Sequence, residues 1–114
     1  MKPAEARRRL AATLERSGIR VSLDPGRSAD APILIVTAPD LVYEGYDATP
    51  TSATFRVPLV VVADDRTSDQ LLDLLPLVEQ AIYDSEDAAL TAAESGSWGS
   101  PPLPCYLLTI EVSV

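Results

Sequence analysis

At the end of the chain, Tyr106, Leu108, Ile110, Val112 and Val114 fall on one side of a period-two repeat, and Thr109, Glu111 and Ser113 on the other. A segment with that period is extended, and it must lay its apolar side on a core. Ala53 to Val62 repeats the pattern, with Phe55, Val57, Leu59 and Val61 on one side and Thr54 and Arg56 on the other. Two such strands demand a sheet with one face covered. Pro58 lies inside the second strand and lacks an N–H for the ladder, so the spacing predicts a sheet edge or a bulge there.

What covers the sheet is legible too. Leu71, Leu74, Leu75, Val78 and Ile82 make a wide helical stripe over residues 67–84, opened by Thr67-Ser68-Asp69-Gln70, which has the spacing of a capping box. Pro76 lies within this helix and is expected to kink it. A first helix is predicted over residues 3–17, with Pro3 in its first turn, Gly18 as its stop, and Glu5 placed to pair with Arg9. Its apolar side, Leu10 and Leu14 with Ala6 and Ala11, is narrow. Shorter extended segments are expected at Ile19 to Leu23, Ile33 to Val36 and Leu41 to Tyr46, with turns at Asp24-Pro25-Gly26 and over residues 47–52. Residues 88–93 read as a strand or a frayed helix end, and residues 95–104 as a Gly/Ser/Pro-rich loop carrying the only Trp. The expected fold is α+β: a mostly antiparallel β-sheet with two α-helices packed on one face, residues 1–114 forming a single domain. Leu71, Leu75, Val78, Ile82, Phe55, Val57, Leu108 and Ile110 are the expected core.

Composition limits the chemistry. At 114 residues and 46% hydrophobic, the chain has enough apolar side chain for a core without a metal or disulfide. The one cysteine, Cys105, has no intramolecular partner, which fits a reducing compartment. The longest apolar run, Leu59 to Ala63, is far short of the roughly 18 residues of a membrane span. The first residues are charged and lack the apolar stretch of a secretory signal. There is no histidine, no phosphate-cradling glycine loop, and the only lysine is Lys2. No catalytic residue, cofactor or metal site is expected. Asp64, Asp65 and Asp69 form the densest carboxylate group, but acids at the start of a helix also answer its dipole. The chain is read as a structural subunit rather than an enzyme.

The net charge of −8 is uneven, +4 over residues 1–27 and −12 over the remainder. That disfavours general nucleic-acid binding, which depends on neutralising phosphates. It suits head-to-tail contact between copies, or simply a basic helix on an acidic surface. Arg8, Arg9 and Arg16 are the candidate intersubunit cations, and Asp84, Glu86 and Asp87 their candidate partners. Tyr43 and Tyr46 are candidate interface contacts or covers for a sheet edge. Trp98 either plugs the end of the core or anchors a partner.

Three stretches together carry a resemblance: Leu14-Glu15-Arg16-Ser17-Gly18-Ile19 ending the first helix; Phe55-Arg56-Val57-Pro58-Leu59-Val60-Val61-Val62 leading into Asp65-Arg66-Thr67-Ser68-Asp69; and a Gly/Pro loop running into Cys105-Tyr106-Leu107-Leu108-Thr109-Ile110-Glu111-Val112. Over nearly its whole length the chain resembles the tail terminator (tail completion) proteins of long-tailed bacteriophages. The resemblance implies a homo-oligomeric ring, six-fold, at the head-proximal end of the tail tube in the virion, assembled in the host cytoplasm. Such a ring ends tube polymerisation and provides the head-joining surface. The implied partners are further copies of the chain, the major tail tube protein and the head–tail connector proteins. DNA would pass through an acidic bore without specific binding, and no membrane is involved. The alternatives are a head-completion or head–tail connector subunit, or a small ligand-binding α+β domain.

Overall fold

The computed structural model describes residues 1–26, 31–45 and 49–114. In chain order the elements are α1 (Pro3–Glu15), β1 (Arg20–Ser22), β2 (Ile33–Ile35), β3 (Asp40–Val42), β4 (Ser52–Val60), α2 (Thr67–Tyr83), β5 (Ala88–Trp98) and β6 (Leu103–Ser113). The strands form one sheet in the spatial order β1-β2-β4-β6-β5, and β3 pairs with β4 as well. All pairings are antiparallel except β1 with β2. The fold is the expected α+β arrangement. No helix among the described residues is long and apolar enough to cross a membrane.

Alternation along the strands sorts the side chains onto two faces. Ala53, Phe55, Val57, Leu59 and Val61 of β4 and its continuation share a core with Leu108, Ile110 and Val112 of β6 and with Leu34 and Val36. Both helices lie on that face, α1 through Ala6, Leu10, Ala11 and Leu14, and α2 through Leu71, Val78 and Ile82. The residues in between, Ile33, Ile35, Val60 and Cys105, point the other way and form a second, smaller cluster. Among the described residues no helix covers it; Trp98 and Leu103, from the end of the β5–β6 hairpin, pack against it together with Ala31.

Seven of the eight residues expected in the core are buried, whereas Leu75 is only half-buried at its margin. Leu75 sits on the flank of the α2 stripe, where solvent reaches one side. Leu75→Ala is therefore expected to cost about 1–2 kcal/mol, below the roughly 2–5 kcal/mol of a fully enclosed leucine. Chemical denaturation of the variant checks this; a loss above about 3 kcal/mol would place Leu75 inside the core.

Several local expectations are corrected. Pro58 does not mark a sheet edge, because β4 is interior, with β6 on one side and β2 and β3 on the other. Val61, the residue after the end of β4, donates to Pro104 O of the β6 side, so alternation turns the Pro58 nitrogen toward β2 and β3. There β3 is registered against residues 52–54 and β2 against residues 59–60. The two pieces run the same way along β4 with registers one residue apart. The missing donor thus faces a break in the neighbouring strand, where no ladder bond is lost.

Thr67 does not cap α2. The N-cap position is Arg66, without a side-chain cap. The Thr67 hydroxyl instead accepts the Asp64 N–H (3.0 Å) and lies within donating reach of Asp64 O (2.9 Å), while Asp64 Oδ1 accepts the Arg66 N–H (2.7 Å). The segment spends its polar side chains on the turn out of β4 rather than on the helix end. The helix then runs through Pro76 without interruption.

The expected loop over residues 95–104 is largely strand. β5 continues to Trp98, leaving only residues 99–102 as the turn, with Gly99 at φ 91°. Of the segment Leu41 to Tyr46, only Leu41 and Val42 lie in a strand, β3, and Tyr46 lies outside the described residues. Gly18 ends α1 as anticipated, at φ 81° and donating to Glu15 O.

One tertiary contact has no counterpart in the sequence reading. From α1, Arg7 donates through Nε and Nη2 to Val36 O (3.1 and 2.9 Å) and through Nη2 to Leu23 O (2.7 Å). A single guanidinium thereby ties α1 to the chain just past β1 and just past β2, using its fixed fork of donors.

Candidate interaction surface

The fold brings the candidate charges together within one subunit. Arg9 Nη1 meets Asp87 Oδ2 at 3.2 Å, and Arg9 Nε meets Glu5 Oε1 at 3.9 Å, the expected i,i+4 pair. Arg9 and Arg16 line one shallow groove with Asp84, Glu86 and Asp87. Asp84 also accepts a hydrogen bond from Gln80 Nε2 (2.9 Å). The cause is geometric. α1 and α2 lie side by side on one face of the sheet, and the Arg9–Arg16 side of α1 looks onto the turn between α2 and β5. Arg9 and Asp87, both candidates for contacts between copies, meet each other within one copy. Arg8 lies elsewhere, exposed on the outer side of α1. The pairs are solvent-exposed and add little to stability.

Tyr43 is exposed at the end of β3, and Tyr46 lies outside the described residues. Trp98 is half-buried against Ile33, Ile35, Val60 and Cys105. Burial pushes the Cys105 thiol up from its ordinary pKa, away from a reactive thiolate. Among the described residues no group of three or more metal-ligating side chains converges, and Asp64 is engaged with backbone.

The surface that stands out was not anticipated. β5 is the last strand of the sheet, and no strand among the described residues pairs with its outer edge; its ladder to β6 carries a register shift between Leu90 and Ala92. Leu72, Pro76, Glu79 and Tyr83 lie at spacings of four, three and four on α2, on the flank nearest that edge. Leu72 is 56% and Tyr83 84% exposed. Between helix and edge runs an open groove of about 460 Å³ lined by Glu79, Ile82, Tyr83, Ser85 and residues 88–90. Ser85 carries a buried hydroxyl with no hydrogen-bond partner. An unpaired strand edge and exposed apolar side chains along one groove suit the docking of another polypeptide. The sequence did hold a signal: Leu72 and Tyr83 are large side chains off the main apolar stripe of α2.

No protein-family model matches the chain, and no curated protein matches it in sequence.

Proposed function

We propose that the chain is a structural subunit that assembles with copies of itself into a ring at the head-proximal end of a bacteriophage tail tube. In this role it stops tube growth and presents the surface to which the head attaches. The observation that carries the reading is the unpaired β5 edge beside the exposed flank of α2, a surface suited to subunit contact. The whole-length resemblance to tail terminator proteins supplies the location. The partners in this role are further copies, the tail tube protein and the head–tail connector, with DNA passing through the bore. A net charge of −8 per copy keeps such a bore from holding the duplex.

The test is electron microscopy of tails assembled with and without the protein. Tubes of uncontrolled length are expected in its absence, and a ring at one tube end in its presence. Fixed-length tubes without the protein, and no ring with it, would refute the role.

A further inference from the structure

The sheet has a second unprotected strand on its opposite side. β3 pairs only with β4, and among the described residues no strand covers its other edge. Three consecutive apolar residues there are exposed: Leu41 (37%), Val42 (41%) and Tyr43 (56%). One flank of the molecule therefore offers a short apolar strand, and the other a long bare edge with an apolar groove beside it. Each leaves backbone donors and acceptors unpaired and apolar surface in water, the combination that isolated subunits ordinarily suppress.

We infer that β3 of one copy docks along the first half of β5 of the next, with Leu41 and Tyr43 on the side of the groove between Tyr83 and residues 88–90. A second copy is the occupant because one head-to-tail contact covers both defects, and every copy carries both halves. The contact is heterologous, so its repetition closes into a ring when the rotation is right. Ladder bonds between the two open edges supply the contact. This inference rests on the subunit reading above but names which faces meet.

Charge sets the conditions for assembly. The β3 side carries Asp40 and Glu44, the β5 side carries Glu79 and Glu94, and each copy bears −8 overall. Of the cations, Arg9 is engaged with Asp87 and Glu5, Arg7 with two carbonyls, and Arg56 lies 3.8 Å from Asp40. The contact is therefore apolar and hydrogen-bonded between like-charged partners, and salt that screens the repulsion strengthens it. An assembly driven by the arginines of α1 on acidic neighbours would weaken with salt.

The experiment is oxidative cross-linking of the full chain carrying Val42→Cys and Ala89→Cys together. Both positions are exposed, so the fold tolerates the changes, which circular dichroism checks. Within one copy the two sites are separated by three strand spacings, about 14 Å, beyond the roughly 7 Å a disulfide spans. The double variant should give a ladder of covalent oligomers, increasing several-fold between 50 mM and 1 M NaCl, while neither single variant forms a ladder. Dimers from Ala89→Cys alone would overturn the inference in favour of edge-to-edge β5 pairing. Oligomers by native mass spectrometry without cross-links would reject this contact and leave the ring reading standing. A ladder that fades with salt would reject the apolar mechanism. A monomer throughout, with no cross-link, would overturn the self-contact altogether.

Discussion

Phe55→Ala is expected to lower stability by about 3–5 kcal/mol, the largest effect of any single truncation in this chain. Phe55 is the chain's only phenylalanine and is 1% exposed. It lies on β4, opposite Ile110 of β6, on the sheet face where α1 and α2 both pack. Its ring fills the layer between the sheet and the helices, and the central strand cannot shift inward without breaking its pairing to β6. The cavity therefore stays largely open, which puts the cost toward the upper part of the range. The melting temperature should fall by roughly 10–20 °C. Urea unfolding with an unchanged slope would attribute the loss to the native core. A loss below about 1 kcal/mol would mean that the layer collapses freely, and that the helices are not held against β4 as described.

Arg7→Met is the second large effect, at about 1–3 kcal/mol. Methionine keeps most of the apolar stem, so the loss measures the guanidinium rather than the packing. Without it the part-buried Val36 O loses two contacts at 3.1 and 2.9 Å, and Leu23 O loses one at 2.7 Å. The damage should be local. Hydrogen exchange should accelerate at Val36, whose N–H bonds Ser22 O, and along β1, more than at residues 105–112 of β6. Arg7→Lys should recover only part of the loss, because a point ammonium cannot reach both carbonyls as the fork does. Uniform acceleration across the whole sheet would instead make Arg7 part of the global core.

The two predictions differ in how far the sequence announces them. Phe55 is legible because its neighbours alternate and the period of two can be satisfied only by a strand with one face buried. The α2 stripe is legible for the same reason at a period near 3.6. Arg7 is not, because nothing in Ala6-Arg7-Arg8-Arg9 distinguishes a guanidinium that will find two carbonyls from its solvated neighbours. That choice is made by the distance between α1 and the ends of β1 and β2. β5 fails for a different reason. Its second half, Ala92-Ala93-Glu94-Ser95-Gly96-Ser97, has little intrinsic preference for a strand, and it is extended because β6 offers a complete partner ladder. The same non-local pairing moves Trp98 from a loop onto the Ile33–Val60 cluster. Which charges meet across the fold is likewise not announced by their asymmetry along the chain. Here α1 and the turn after α2 are far apart in sequence and adjacent in space, so Arg9 and Asp87 neutralise one another.

The position of β6 has a consequence for the order of events in synthesis. It lies between β4 and β5 at the heart of the sheet, yet it follows every other described element in the chain. As the polypeptide leaves the ribosome, β4 emerges with one flank vacant, and β5 emerges with no neighbour at all. Neither gains its main partner until residues 103–113 are free. The nascent domain therefore cannot consolidate piecewise from its first helix; it waits for its last strand and then closes in one step. During that wait the apolar side of β4 is shielded only by the helices. Crowded translation of many copies from one message is then the setting in which a neighbour's β6 could be captured in place of the chain's own.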